Sequence, residues 1–456
     1  MRKRTTKRIR LRELLFVGIL AAGIGCPPLV SGEPRGTISL KESIEEALRK
    51  SPTLHSAREG VQVAESQRRE AFTSFLPRFS TSYSYKRLNE APEFTLPILI
   101  QLGLTPLATQ SGTKDNYNWG VEVHQPLFAG GGILANYQAY RTNLQAVRQE
   151  ERTAVLDLVL EVQTAYLNIV KAEKLREVAL SSVERLSAHR DMTRHFYEVG
   201  MVPRNDLLYA EVELANGRQA LLRAENGLDM AKAKFNTLLR RNMESPVAVE
   251  DILAYRPYEK EFGECLNTAL ERRTEIKTHA LRVEQAQKSV QLARSDYYPS
   301  VNLVGNYSRY GDEPGVSGSR YQDSESWYVM AMANWNFWEW GKTKYRVDAS
   351  LSRERQASDA LENVRDAVSL ELKNAWLFLK EAEQQISVTR KAVVQAEENY
   401  RITTERYREQ VSTATDVIDA QALLTRANSD HTRALSDYLI SLAGLKRAMG
   451  AAYDEE

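Results

Sequence analysis

Cysteine and histidine are scarce in this chain of 456 residues, which has two cysteines and six histidines. Two cysteines, Cys26 and Cys265, are too few for a disulfide framework. The histidines show no metal-like spacing with Cys, Asp or Glu, and no nucleophile or cofactor motif stands at an interpretable spacing. The sequence therefore predicts a protein that is not an enzyme and that needs no cofactor or metal.

Long apolar runs are also missing downstream of the N-terminus, so no transmembrane helix is expected there. At the N-terminus, seven basic residues precede the apolar run 14–24 and then small residues, which is the architecture of a secretory signal peptide over residues 1–32. The alternative is that Cys26 is retained and lipidated. Without the basic signal, acidic residues are in slight excess, and nothing suggests nucleic acid as a partner.

What the chain does have is a tandem duplication. The segments Tyr197 to Asp206 and Tyr407 to Asp416 lie 210 residues apart within matching flanks, and further upstream Pro77 matches Pro299 at an offset of 222. A period this long is half a structure rather than a solenoid unit. We therefore expect a first repeat over 33–250, a second over 251–450 and a short polar tail over 451–456.

Heptad patterns predict long helices in each repeat. One seam of the second repeat carries large residues such as Leu372, Leu379 and Ile386, and a parallel seam carries small ones. Such repeats make helices supercoil and pack by knobs into holes. The predicted helices cover about 41–76 and 133–240, then about 263–298 and 342–449. A plain antiparallel coiled-coil hairpin has the same pattern.

Between the helices, each repeat has two segments with a period of two, which predicts β-hairpins at about 78–127 and 300–337. The second return strand is expected to include Trp335 and Phe337. Strands of about 10 residues with aromatic ends suit an outer membrane, although a small soluble sheet is the alternative. Four strands leave two edges, so a membrane location requires three or four chains. The first hairpin loop, 89–115, either narrows the barrel mouth or packs as a surface loop.

The ordered set of these features resembles the TolC family of outer-membrane efflux proteins. The family's strand-to-helix junction is matched by residues 125–131 (QPLFAGG) and more loosely by 335–341 (WNFWEWG). Its helix-tip pattern is matched at 197–208 and, with Gln410 in place of glycine, at 407–420. The resemblance implies an α+β membrane protein. Its homotrimer would form a 12-stranded β-barrel in the outer membrane, four strands per chain, continued by a periplasmic 12-helix α-barrel of coiled-coil helices.

The resemblance also implies a location and partners. The protein is expected in the outer membrane of a Gram-negative bacterium, extending into the periplasm and touching outer-membrane lipid. It would be a passive exit duct for a tripartite efflux pump or a type I secretion system. An adaptor (membrane fusion) protein would join it to an inner-membrane pump of the RND, ABC or MFS type. The alternative is a periplasmic coiled-coil tether that forms no channel, possibly anchored through Cys26.

Two sets of site residues follow from the resemblance. Asp416 and Asp419 match the aspartate pair that forms the periplasmic gate and selectivity ring of such channels, although helix capping is an alternative role for Asp416 and for Asp206. An arginine that locks the second tip in some relatives is replaced near Ser412, and Arg204 and Arg408 are the candidate substitutes. The residues expected to contact the adaptor are Gly200, Met201, Val202, Pro203, Val411, Ser412 and Thr413.

Overall fold

The computed structural model describes residues 37–95, 101, 103 and 108–451. The predicted signal peptide, Cys26 and residues 452–456 of the predicted tail lie outside the described residues. Most of the apolar part of loop 89–115 also lies outside the described residues. Its role at the barrel mouth therefore stays a prediction.

Eight helices are found among the described residues, four in each half of the chain. Each half has two shorter helices followed by helices of 67 and 35 residues. The first half contains α1 (Leu40–Lys50), α2 (Pro52–Thr73), α3 (Gly132–Glu198) and α4 (Arg204–Leu238). The second half contains α5 (Phe262–Arg272), α6 (Thr274–Ser295), α7 (Lys342–Arg408) and α8 (Ala414–Ala448). At 1.5 Å per residue, α3 and α7 are each about 100 Å long.

The single helices predicted at about 41–76 and 263–298 are wrong, because each is broken after one short helix. Ser51 has an extended backbone, and its hydroxyl accepts from the amide of Leu54 while Pro52 begins α2. Proline suits the first position of a helix because it has no N–H to lose. At the corresponding break Arg273 is also extended, without a proline to signal it.

Four strands form one antiparallel sheet in the order β1, β4, β5, β6. They are β1 (Arg78–Arg87), β4 (Asp115–Ala129), β5 (Ser300–Gly311) and β6 (Glu325–Asn334). Two short strands in the first hairpin loop, β2 (Glu93–Thr95) and β3 (Ala108–Gln110), pair with each other. The loop of the second hairpin, residues 312–324, is much the shorter, which places the extra residues of the first half in loop 88–114.

The ends of two strands differ from the prediction. β4 continues to Ala129, which pairs with Ser300 after an irregularity near Pro126. β6 stops at Asn334, so Trp335 and Phe337 lie beyond the sheet. Pro299 precedes the first residue of β5 and has no N–H to donate. The hydrogen-bond ladder between β5 and β6 therefore does not continue past the Ser300–Asn334 pair.

The two faces of the sheet have different chemistry, and both of its edges are open. One row across the four strands is Thr81, Val121, Tyr307 and Trp327, and the next row is Ser82, Gly120, Ser308 and Ser326. All of β1 and nearly all of β6 are exposed, and among the described residues each pairs on one side only. Such edges are templates for further pairing.

The helices lie side by side in a fixed order. Toward the α3–α4 and α7–α8 turns the order is α4, α3, α8, α7, while toward the strands α2 and α6 pack on α3 and α6 also packs on α7. Each half has its own core, one containing Tyr166 and Phe235 and the other Leu372, Leu379 and Tyr438. The helices α4 and α7 therefore end the row in a single chain.

One described helix, α3, is long and apolar enough by composition to cross a bilayer. Its apolar residues have another explanation, because Leu158, Val162, Ile169 and Val170 are buried against the other elements of the first core. Packing within the helical layer accounts for these apolar residues without a membrane.

Candidate functional site

The turn between α3 and α4 forms the first helix tip. Gly200 takes the left-handed conformation (φ 77°), and the amide of Met201 donates to the carbonyl of Phe196 at 2.8 Å, closing the end of α3. Pro203 then precedes α4 with an extended backbone and without a side-chain cap. Gly200, Met201 and Pro203 are exposed and Val202 is half-buried.

The turn between α7 and α8 forms the second tip and repeats the same backbone. Gln410 adopts the left-handed conformation at φ 61°, and the amide of Val411 donates to the carbonyl of Arg406 at 2.8 Å. The Ser412 hydroxyl donates to the carbonyl of Thr403 at 3.2 Å. Val411 and Thr413 are exposed and Ser412 is half-buried. Glycine is therefore dispensable at this position of the turn.

The two aspartates of the second tip have different surroundings. Asp416 accepts from the amide and hydroxyl of Thr413, both at 2.8 Å, and the Thr413 hydroxyl accepts from the amide of Asp416, which completes a capping box. The bonds from Thr413, first its amide and then its hydroxyl, hold the pKa of Asp416 below its usual value. Asp419 lies one turn further on, exposed and without a hydrogen bond or ion pair to any described residue. Asp416 thus caps the helix, whereas Asp419 is exposed and takes no part in the cap.

Capping does not account for Asp206 in the way the sequence suggested. Asp206 stands in the first turn of α4, but its carboxylate makes no bond to the N-cap residue, Pro203. Proline offers neither an amide hydrogen nor a hydroxyl, so the reciprocal bonds that Thr413 makes have no equivalent there. The remaining favourable interaction of the Asp206 carboxylate is with the positive end of the α4 helix dipole.

A buried joint fixes the second tip to the first half of the chain. Tyr407, the penultimate residue of α7, is 2% exposed, and its hydroxyl lies 3.0 Å from the Thr193 hydroxyl on α3. Its ring lies 5.1 Å from the ring of His189 and 5.6 Å from that of Phe196, measured between centroids. Ala414 joins this cluster. We call these contacts the tip joint.

A second polar contact joins α3 and α8 further from the helix tips than the tip joint. The buried Gln421 amide donates to the Ser182 hydroxyl at 3.2 Å and to Thr425 at 3.0 Å, and Thr425 also lies 3.2 Å from Ser182. By contrast, Arg204 and Arg408, the candidate locking arginines, form no ion pair with any described residue. Among the described residues the second tip is therefore held by the tip joint and this cluster, without an ion pair from Arg204 or Arg408.

Sequence reasoning missed His189 and Thr193 as parts of the site. Tyr407 was recognisable as the end of a heptad seam, but its partners lie on a helix more than 200 residues earlier. No local pattern links them, because the contact arises from the packing of α8 on α3. The helix bounds alone place both tips at the same end of the helical layer.

The duplication matches a known family in both halves. A family model described as "Outer membrane efflux protein" covers residues 43–239 and 265–451, and each match contains one tip. The chain belongs to this family. As an outer membrane efflux protein it is a transport protein of the outer membrane that extends into the periplasm.

Individual relatives are distant but match along most of their length. The outer membrane efflux protein BepC of Brucella suis biovar 1 (strain 1330) is 21% identical over 442 residues, which cover 96% of this chain and 90% of BepC. The outer membrane protein TolC of Escherichia coli (strain K12) is 22% identical over 394 residues, covering 82% and 78%. The comparisons confirm the resemblance to the TolC family and the prediction of an efflux protein.

Solved structures confirm the coarse fold, in which strands are combined with long helices. The outer membrane protein VceC of Vibrio cholerae superposes with a TM-score of 0.77 at 18% identity, covering 91% of this chain and 97% of VceC. The Campylobacter jejuni CmeC outer membrane channel gives a TM-score of 0.77 at 18% identity, with coverages of 91% and 87%. At this identity the likeness shows the combination of strands and long helices and nothing about individual side chains.

Proposed function

We propose that this efflux protein is a passive exit duct built from three copies of the chain. Three sheets of four strands would close into a 12-stranded barrel, and three sets of four long tip helices would continue it as a 12-helix barrel. The observation that carries the proposal is the open four-stranded sheet, whose β1 and β6 edges are exposed on a chain that also carries two helices of 67 residues. Hydrocarbon does not tolerate unpaired strand edges, so further copies must cover them.

We further propose that the helix tips form the gate, with Asp419 as its main charged group. At about 6 Å separation and an effective dielectric of about 20, two carboxylates repel by roughly 3 kcal/mol, so a closed ring of three needs other contacts to hold it. Asp416 has its carboxylate engaged by Thr413, which leaves Asp419 as the freer charge. A ring of such carboxylates favours cations over anions.

Single-channel recording in planar bilayers tests the gate. Asp419→Asn should reduce cation selectivity and block by multivalent cations, and the double variant with Asp416→Asn should reduce them little further. Asp416→Asn alone is the matched control, expected mainly to weaken the helix cap by about 1 kcal/mol. Unchanged selectivity in the double variant would remove both aspartates from the pore.

The same recordings decide between a duct and a tether. A duct gives discrete conductance steps and a trimer mass in detergent, whereas a coiled-coil tether gives neither. The sheet itself favours the duct, because the row that contains Val121, Tyr307 and Trp327 has no covering layer among the described residues.

The tips are the proposed docking surface for an adaptor protein and, through it, for an inner-membrane pump of the RND, ABC or MFS type. Met201 and Val411 support this proposal, since both are apolar and more than half exposed at the ends of the helices. Gly200→Asp places a charge next to Met201 in the first tip. It should leave the trimer mass unchanged and abolish export in cells, and full export would contradict docking at this tip.

A further inference from the structure

The duplication places a second set of tip-joint residues in the chain, and among the described residues this set does not form the hydroxyl contact of the tip joint. At the offset of 210, Tyr407 corresponds to Tyr197 and its partner Thr193 corresponds to Thr403. Tyr197 ends α3 as Tyr407 ends α7, and Thr403 lies on α7 as Thr193 lies on α3. Both sets have the same side chains for the hydroxyl contact, but the part of the chain that the structure describes brings only one set together.

Exposure separates the two sets in a consistent way. Tyr407 is 2% exposed whereas Tyr197 is 39% exposed. On the following helices Ile418 is 4% exposed and its counterpart Leu208 is 48% exposed. Tyr407 and Ile418 are thus buried, whereas their counterparts Tyr197 and Leu208 are exposed on α3 and α4. On α7, Ile402 is exposed and Thr403 is half-buried.

The order of the helices indicates which surface covers these exposed residues. Within a chain, α8 lies between α3 and α7, so the second tip packs on α3. The contact of α3 with α8 joins a long helix of the first half to the tip helix of the second half. The equivalent contact under the duplication joins α7 to α4, and in a ring this α4 belongs to a second copy. The first tip of that copy then packs on α7 as the second tip packs on α3. Another copy of this chain presents residues with this matching geometry.

We propose that Tyr197 of one copy packs against Ile402 and Thr403 of the neighbouring copy, with a hydroxyl contact to Thr403 like that between Tyr407 and Thr193. The proposal rests on the ring of three copies proposed above. The ring would then contain three tip joints within chains and three between chains.

The two kinds of joint differ in their surroundings. Asn399 and Arg406 stand between chains where His189 and Phe196 stand within a chain. The joint between chains therefore loses both aromatic neighbours of the tyrosine and gains an amide and a guanidinium, which keep more water. Edge contacts between aromatic rings add stability beyond the area they bury. The joint between chains is consequently the weaker one.

Site-specific photo-cross-linking tests the contact. Tyr197 is replaced by p-benzoylphenylalanine, which has a similar ring, and the exported full-length protein is irradiated and digested with trypsin. The expected products are covalent dimers and trimers on denaturing gels, joined through the peptide 402–406. The matched control places the same residue at Tyr407. It should give only internal cross-links to the peptide 191–194 at monomer mobility.

Native mass spectrometry of the same samples separates the possible failures. Trimers whose Tyr197 cross-links miss peptide 402–406, or whose position 197 gives no cross-link between chains, overturn the contact and leave the ring standing. A monomer mass for the unmodified protein overturns the ring and with it the contact. Tyr407 products between chains would show that the two joints are assigned the wrong way round.

Discussion

The two halves of the chain build helices of identical length, 67 and 35 residues, from different side chains. The difference is sharpest where the backbone turns. At the strand-to-helix junction, Gly130 and Gly131 correspond to Trp340 and Gly341, and all four have positive φ. At the tips, Gly200 corresponds to Gln410, again with positive φ in both. The backbone path is thus the same at both positions whether or not the residue is glycine.

At the junction, the two positions differ in the space around the residue rather than in its φ angle. A Cβ on Gly130 would lie 2.3 Å from the carbonyl oxygen of Ser295, whereas Trp340 is 84% exposed. The first junction is packed against the end of α6, and the second faces outward. The comparison teaches that a left-handed position tolerates other residues, at about 1 kcal/mol, where no neighbour meets the side chain.

The largest effect is expected for Gly130→Ala. The added methyl group combines a left-handed backbone with a clash against a carbonyl that cannot move without disturbing α6, so we expect a loss of more than about 3 kcal/mol. The measurement is the amount of folded protein in the outer membrane and its apparent melting temperature. Gly131→Ala is the matched control, because nothing lies within 4 Å of its Cβ and only about 1 kcal/mol should be lost. Equal losses in the two variants would contradict the role of the clash.

The next largest effect is expected at the break between the short helices. Arg273 is buried and forms ion pairs with Glu371 at 2.5 Å and Glu275 at 3.0 Å, and Arg447 bonds to the same carboxylates and to Asp157. The first half has Ser51 at this position. Arg273→Ser makes the halves alike and removes one of two cations from a group of three carboxylates. The expected loss is about 3 kcal/mol.

The control for Arg273→Ser is Arg282→Ala. Arg282 pairs with Glu150 at 2.9 Å on the surface, where ion pairs contribute about 1 kcal/mol or less. Chemical denaturation of purified protein compares the two variants. A loss for Arg273→Ser no larger than that for Arg282→Ala would show that the cluster around Arg447 holds without it.

These two sites also show how far the sequence alone could lead. The offsets of 210 and 222 and the heptads predict the long helices and both tips, because these signals are local and repeated. The break before Pro52 carries a signal that was overlooked, and the break at Arg273 carries none. Trp335 and Phe337 continue the alternation without belonging to β6, because periodicity reports which face a side chain occupies and not whether a hydrogen-bonding partner exists. The tip joint depends on packing between distant helices, which no local pattern encodes.

A smaller effect, dependent on pH, is expected at the tip joint. Burial lowers the pKa of His189 to about 4, against about 6.5 in an unfolded chain. Between these values the unfolded chain binds a proton that the folded one excludes, so stability falls as the pH drops from 6.5 toward 4. At pH 5.5 the loss is about 1 kcal/mol. We expect faster hydrogen exchange of amides 411–418 at pH 5.5 than at pH 7.5, after correction for intrinsic rates.

His189→Gln provides the control for this pH effect, since glutamine does not titrate. The variant should lose the additional exchange at pH 5.5 while the amides of the first tip behave as in the original protein. If both proteins respond alike to pH, the acid sensitivity of the second tip comes from other groups, and His189 is merely a packing residue.

The smallest effect concerns the tips themselves. Gln410→Gly relieves the left-handed strain, worth about 1 kcal/mol, but it also gives the unfolded chain more freedom, so the net gain should stay below about 1 kcal/mol. The reverse change, Gly200→Gln, should cost about 1 kcal/mol, because no atom within 4 Å meets a Cβ there in one chain. Apparent melting temperatures of the two variants measure both effects. A much larger loss for Gly200→Gln in the assembled protein than in detergent-separated monomers would mean that the first tip is covered on assembly. The exchangeability of glycine and glutamine would then hold for the second tip alone.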